Sequence, residues 1–135
     1  MNEPVAASRR EIRHFVRDGL GCTCPDEVFN SIRVADECTA FASADTVYDI
    51  GGRLLVAVFV PADWRDIDRR LDQIVAAGMQ WRDQRGYNRC RLVIATNSAD
   101  AIKHLPAAFC SLPAIDEKIH LHVIAPDLLP FDVRA

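Results

Sequence analysis

Residues 54–60, Leu-Leu-Val-Ala-Val-Phe-Val, form an unbroken apolar run in the middle of the chain. The run is rich in β-favouring residues, and it is far shorter than the roughly 20 residues that a membrane-spanning helix needs. A strand whose side chains are apolar on both sides must be covered on both faces, which is typical of parallel strands flanked by helices. We therefore expect an α/β fold built around this strand.

The pattern on either side of the run supplies the other elements. Gly51-Gly52 predicts a hairpin turn, and Asp63 and Gly86 are suited to cap a long helix between them. The predicted elements are, in order, a helix starting at Ser8, a short helix starting at Pro25 and including Ile32, an edge strand at 41–48, the strand at 54–60, the helix from Asp63 to Gly86, a strand at 92–95, a helix that Asn97 or Ser98 caps and Pro106 kinks or ends, and a strand at 119–124.

The order α-α-β-β-α-β-α-β predicts the sheet. Strands that follow one another directly form an antiparallel hairpin, whereas a helical connection joins parallel neighbours. We expect a mixed four-stranded sheet, with one antiparallel hairpin plus parallel strands and helices on both faces. In the last strand Ile119, Leu121 and Val123 share one face, and His120 and His122 share the other. Residues 1–135 are expected to form a single α/β domain.

Composition limits the function. A net charge of −3 does not favour nucleic acid, which attracts a basic surface, and the N-terminus has no pattern of a secretion signal. The five cysteines, an odd number, match no secreted disulfide framework. We expect a cytoplasmic protein with reduced thiols, acting with another protein rather than with nucleic acid or a membrane. The exposed edge strand could also support a homodimer.

The segment Gly21-Cys22-Thr23-Cys24-Pro25 carries the sharpest chemical signal. Cys24 precedes a proline suited to the first position of a helix, so its sulfur is expected at the helix start, where backbone N–H groups and the helix dipole stabilise a thiolate. Cys22 is close enough in sequence to resolve an oxidised Cys24 through a strained, easily reduced bridge. These two residues are the predicted catalytic pair of a thiol-redox protein.

Two other interpretations stay open. The same cysteines could bind zinc or iron together with Cys38, His120 and His122, since clustered thiolates and imidazoles are the usual ligands of these metals. Cysteine is also a common buried residue, and the segment could simply pack within a non-catalytic protein-interaction module. Separately, a set of arginines around Tyr87 suggests a basic patch for an anion or an acidic partner: Arg82, Arg85, Arg89 and Arg91.

Residues 20–29, Leu-Gly-Cys-Thr-Cys-Pro-Asp-Glu-Val-Phe, resemble a motif of small prokaryotic proteins that reads L-G-C-x-C-P-x-E-V-F. Residues 51–55, Gly-Gly-Arg-Leu-Leu, are similar to a later part of the same family. The resemblance covers about a tenth of the chain and implies no particular activity. The segment differs from the thioredoxin motif, in which Cys-x-x-Cys follows a strand, because here the pair follows a predicted helix.

Overall fold

The computed structural model describes Ile12, residues 14–16, Ile32–Val34 and residues 44–129. Its strands are β1 (Ile32–Val34), β2 (Thr46–Ile50), β3 (Leu54–Phe59), β4 (Arg89–Ala95) and β5 (Ile119–Ile124). Its helices are α1 (Trp64–Arg69), α2 (Leu71–Arg85) and α3 (Ala99–Cys110), and a 3₁₀ turn follows at Pro126–Leu128. Within these described ranges no helix combines the length and the apolar composition needed to span a membrane.

The strands of the described residues form one mixed sheet in the order β1-β2-β3-β4-β5. Strands β1 and β2, and likewise β2 and β3, pair antiparallel, whereas β3 with β4 and β4 with β5 pair parallel. The expected hairpin, the parallel strands joined by helices and the α/β class are therefore confirmed. The sheet has one strand more than expected, the short β1.

The presence of strand β1 shows that two predictions for the β1–β2 side of the sheet were wrong. Ile32 was expected on a helix, but it lies in a strand and pairs with Ile50. Consequently β2 lies between two strands rather than at the edge, and it begins at Thr46. A three-residue strand has too short a pattern to be distinguished from the end of a helical stripe, so pairing with β2 decides its conformation.

The hairpin between β2 and β3 is the turn expected at Gly51-Gly52. Both glycines have positive φ values, 63° and 69°, which residues with a side chain rarely adopt. The buried Asp49 carboxylate accepts a hydrogen bond of 2.9 Å from the Gly52 N–H, and Arg53 N–H donates to the Ile50 carbonyl at 3.1 Å. These bonds fix the register in which β3 enters the core.

The caps predicted at Asp63, Ser98 and Gly86 are confirmed, although the long helix is divided. The helix starts predicted at Ser8 and Pro25 lie outside the described residues. Asp63 accepts a hydrogen bond from Arg65 N–H, Ser98 accepts one from Ala101 N–H, and Gly86 ends α2 with a φ of 76°. The helix breaks at Arg70, whose backbone is not helical, into α1 and α2. Pro106 does not end α3, which continues through it to Cys110.

Two apolar clusters cover the two faces of the sheet. Helices α1, α2 and α3 pack on one face through residues such as Ile67, Val75 and Leu105. The opposite face is covered by the helical residues Ile12, Phe15 and Val16, together with Leu129 near the end of the described chain. The expectation of helices on both faces is confirmed. The strand residues of this second cluster are Tyr48, Ile50, Leu54, Val56, Val58, Val93 and Ala95.

An ion pair between the buried Arg82 and the more exposed Asp116 joins α2 to the loop before β5. The Arg82 guanidinium donates two hydrogen bonds of 2.8 Å to the two carboxylate oxygens of Asp116, and its Nε donates to Asp83 at 2.9 Å. The Arg82 side chain is only 4% exposed, so its charge has lost most of its hydration and is stabilised by these hydrogen bonds instead. Asp116 also accepts a hydrogen bond of 2.9 Å from Lys118 N–H, which sets the start of β5.

We expect D116N to lower the free energy of unfolding by about 1 to 3 kcal/mol, because it leaves the buried Arg82 charge without its bidentate carboxylate, although Asp116 itself is 40% exposed. The matched control is D83N, at a side chain 68% exposed, which should cost less than about 1 kcal/mol. Urea unfolding of both variants measures the difference. Equal losses in the two variants would show that Asp116 is not the main partner of Arg82.

Candidate functional site

The predicted cysteine site lies outside the described residues. Cys22, Cys24 and Cys38 all fall in that part of the chain, so their redox and metal roles stay predictions. Two other cysteines are described. Cys90 is fully buried in β4, as expected for a structural residue, and Cys110 has an exposed free thiol at the end of α3.

The chain on either side of the cysteine segment lies on one face of the sheet. Val16 is fully buried in the second apolar cluster, and Ile32 packs against that cluster. Val16 and Ile32 therefore both lie on the face opposite α1, α2 and α3. His120 and His122 lie on this same face, because Ile119, Leu121 and Val123 belong to the other cluster.

Strand β4 adds two arginines to this face beside the histidines. Arg91 is the cross-strand partner of His120, and Val93 that of His122. Cys90 and Leu92 pack in the helical layer, so Arg89 and Arg91 alternate to the opposite side. We call the four residues Arg89, Arg91, His120 and His122 the basic lane. It interrupts a face that is otherwise apolar along β3 and the remainder of β4.

A hydrogen bond within the basic lane determines the state of His122. Arg91 Nη1 lies 2.9 Å from His122 Nε2. A guanidinium can only donate, so Nε2 accepts and the proton of a neutral ring lies on Nδ1. Burial, and then the charges of Arg91 and His120, lower the pKa of His122 to about 4. His122 is therefore neutral at pH 7 and serves as an acceptor for Arg91.

The pKa of His120 depends on other neighbours than that of His122. Burial, and then the charges of Arg91 and Arg89, lower its pKa, whereas Asp116 and a hydrogen bond to the Glu117 backbone act in the opposite sense. The same Glu117 carbonyl accepts a hydrogen bond of 3.1 Å from Arg89 Nη1. The Glu117 carbonyl is thus a shared hydrogen-bond acceptor for Arg89 and His120, whereas His122 accepts from Arg91 and orients it.

The metal prediction meets two observations here. Within the ranges that the structure describes, no three His, Cys, Asp or Glu side chains are grouped closely enough to hold a metal ion. A guanidinium 2.9 Å from His122 Nε2 both uses that lone pair and repels a cation. A zinc or iron ion at His122 would have to bind through Nδ1 or displace Arg91, and the proposed cysteine ligands remain untested.

The arginine patch expected around Tyr87 does not exist as one surface. Arg82 is buried against Asp116, and the Arg85 guanidinium lies 5.2 Å from the centre of the Trp81 ring. Arg89 and Arg91 instead belong to the basic lane on the other side of the sheet. The sequence could have indicated this division, because Arg89-Cys90-Arg91 alternates as a strand does, whereas Arg82 and Arg85 have helical spacing.

A second polar cluster lies in the helical layer. His104 Nε2 of α3 is 2.9 Å from the Asp68 carboxylate of α1, and the Trp64 ring lies 5.5 Å from the His104 ring. Both polar side chains are substantially exposed, at 52% and 33%. The pair joins two helices at the surface, where an exposed ion pair contributes little stability.

Searches of protein-family models, curated proteins and solved structures found no match to this chain.

The basic lane predicts a measurable titration. The Cε1 proton resonance of His122 should titrate near pH 4 in the native protein, and in R91M its pKa should rise while staying below 6.5, because the burial remains. The control is R65M on α1, which should leave the pKa unchanged. A native His122 that titrates near 6.5 would contradict the Arg91 contact.

The same lowered pKa gives the sign of a pH effect on stability. Below pH 6.5 the unfolded chain takes up a proton at His122 that the folded chain refuses until about pH 4. The unfolded state therefore binds more protons, and the free energy of unfolding should fall as the pH is lowered from about 6.5 to about 4. Urea unfolding across this range measures the slope, and H122Q should flatten it.

Proposed function

We propose that this chain is a small cytoplasmic thiol protein that exchanges disulfides with a protein partner. Cys24 acts as the reactive thiolate and Cys22 as the resolving residue. The observation that carries the proposal is the pattern Gly21-Cys22-Thr23-Cys24-Pro25, with two thiols one residue apart and a proline suited to a helix start directly after the second.

The exchange takes two balanced steps. The Cys24 thiolate attacks one sulfur of the partner's disulfide, which forms a mixed disulfide and releases the partner's other sulfur as a thiolate. Cys22, deprotonated to its thiolate, then attacks the sulfur of Cys24. The partner leaves as a dithiol, and the two electrons it has gained are matched by a Cys22–Cys24 disulfide. The short ring strains that disulfide, which makes it easy to reduce again.

Two features of the sequence act on the pKa of the Cys24 thiol in opposite directions. Pro25, directly after Cys24, favours a helix start, where backbone N–H groups and the positive end of the helix dipole stabilise a thiolate. Positive charge lowers the pKa of a thiol and raises the fraction of reactive thiolate at pH 7. The carboxylates of Asp26 and Glu27, which follow in the sequence, raise the pKa of the thiol instead. The reactivity of Cys24 at pH 7 therefore measures which of these two effects is larger.

The described cysteines do not offer a competing pair. Cys90 is fully buried among apolar side chains of the sheet, where a partner's disulfide cannot reach it. Cys110 is exposed at the end of α3, and no second exposed cysteine is found among the described residues. Cys110 would still react with a small reagent, so any measurement on Cys24 needs Cys110 replaced.

In a C110S background, we expect Cys24 to be alkylated by iodoacetamide faster than any other cysteine at neutral pH, since only the thiolate reacts. Adding C24S should remove the fast phase, whereas adding C22S should keep it. Peptide mass spectrometry assigns each modified site. Equal, slow modification in both variants would contradict an activated Cys24.

Mild oxidation gives a second readout. The C110S protein should lose the mass of two hydrogens and form a bridge that maps to Cys22–Cys24, and neither single variant should form it. Native mass spectrometry of protein purified without oxygen or chelator should show no metal. Bound zinc or iron that disappears in the C22S/C24S double variant would overturn the thiol proposal in favour of a metal site. Unchanged thiol chemistry in that double variant would favour an interaction module.

A further inference from the structure

Strand β5 is an outer strand of the sheet that the described residues form. It pairs with β4 along its whole length, and no strand of the described residues lies on its other side. Its residues after Ile119 are only partly buried, whereas every residue of β3 is buried. An outer strand presents a row of backbone N–H and C=O groups that can pair with another chain. The free side of β5 is therefore a candidate interaction surface.

The hydrogen bonds to β4 show which backbone groups of β5 point outward. Cys90 N–H donates to the Lys118 carbonyl at 2.9 Å. At the other end of the strand, Thr96 N–H donates to the Ile124 carbonyl at 2.8 Å. In a parallel ladder every second residue of a strand bonds to the same neighbour, so the even-numbered residues of β5 bond to β4. The residues whose backbone groups point outward are therefore Ile119, Leu121 and Val123.

The sequence of β5 does not carry the features that usually protect an outer strand. It reads Ile-His-Leu-His-Val-Ile, with neither lysine nor proline, and its register with β4 runs without a bulge. The outer strand at the opposite end of the order, β1, has only three residues and an arginine at its centre. The two large apolar side chains that are exposed in the described part of the chain also belong to elements next to β5. Ile102 lies on α3, which packs against β5, and Leu128 lies in the turn that follows it.

We propose that β5 of one copy pairs antiparallel with β5 of a second copy around a twofold axis at Leu121, so that the two sheets join into one continuous sheet in a homodimer. This interaction is independent of the cysteine chemistry proposed above.

The outward backbone groups of β5 are self-complementary in this arrangement. Ile119 lies opposite Val123 of the partner subunit, and Leu121 lies opposite the partner's Leu121. Residues that face each other in this way exchange both of their N–H···O bonds. With the axis at Leu121 every outward-facing residue has a partner, whereas moving the axis by one residue leaves one of them unpaired in each copy. The same strand serves both subunits, so the interaction closes as a dimer.

The side chains of β5 also fit a second copy of the same strand. Leu121, half-buried in one copy alone, gains the partner's Leu121 as an apolar cross-strand neighbour. On the other face His120 lies opposite the partner's His122. Burial lowers the pKa of both rings, so this pair does not place like charges opposite each other at pH 7. Lys118, directly before the strand, lies opposite the partner's Ile124 and meets no like charge.

Sedimentation velocity of the native chain measures the association, with a reductant that keeps the exposed Cys110 from forming a disulfide. We expect a monomer–dimer equilibrium that shifts with protein concentration. Amide hydrogen exchange in the same native chain then locates the interface. The N–H groups of the three outward-facing residues should exchange slowly at high concentration and quickly after dilution. Those of His120 and His122, which bond to β4, should stay protected at both concentrations.

Two variants at one position separate the backbone from the side chain. V123P removes one outward N–H from each copy and leaves the bonds to β4 in place. It should weaken the dimer by about thirtyfold, the effect of losing two neutral hydrogen bonds. V123A shortens the side chain but keeps the N–H, so its effect should be clearly smaller. The C22S/C24S variant should dimerise as the native chain does, so a failed thiol proposal and a failed dimer give different results.

Three outcomes would overturn the proposal. The first is a native chain that stays monomeric at every concentration. The second is protection of the outward N–H groups that does not change on dilution, which would show that another part of the same chain covers the edge. The third is equal weakening in V123P and V123A, or a dimer that V123P leaves intact, which would assign the contact to another surface. The exchange measurement uses the native chain, so it decides the question even where V123P does not fold.

Discussion

The burial of β3 on both faces is the constraint on which the rest of the structure depends. All six of its side chains, from Leu54 to Phe59, are at most 2% exposed. Burying a large apolar side chain contributes about 1.5 to 3 kcal/mol, so this strand can only form between two covering layers. Helices α1, α2 and α3 supply one layer, and the second lies on the opposite face. The central strand β3 therefore carries no polar side chain.

An ion pair on the helical side of the sheet positions the basic lane on the other side. Arg82 of α2 holds Asp116 in the loop before β5, and Asp116 in turn binds the backbone of Lys118. The residue between them, Glu117, presents the carbonyl that Arg89 and His120 share. The Arg82–Asp116 ion pair on the helical side thus sets the positions of Arg89 and His120 on the other side. Loss of that pair would disturb the lane without touching any of its members.

The parts of this fold that could be predicted from sequence are the ones that local chemistry decides. The apolar run at β3, the glycine turn at Gly51-Gly52 and the caps at Asp63, Gly86 and Ser98 each need only a few neighbouring residues. Strand β1 could not be predicted, because Ile32 is held by pairing with Ile50, 18 positions along the chain. Pro106 was expected to kink or end α3, yet its helix continues.

In the candidate site, too, local sequence pattern predicts some features and pairing between distant strands decides the others. Alternation along 119–124 placed His120 and His122 on one face, which the structure confirms. Their chemistry depended on which residues β4 brings beside them, and that is a question of register between strands rather than of spacing within one. Paired histidines on a strand suggest metal ligands when read alone. Beside Arg91, His122 becomes a neutral acceptor that orients a guanidinium, which is a different role from that of a metal ligand.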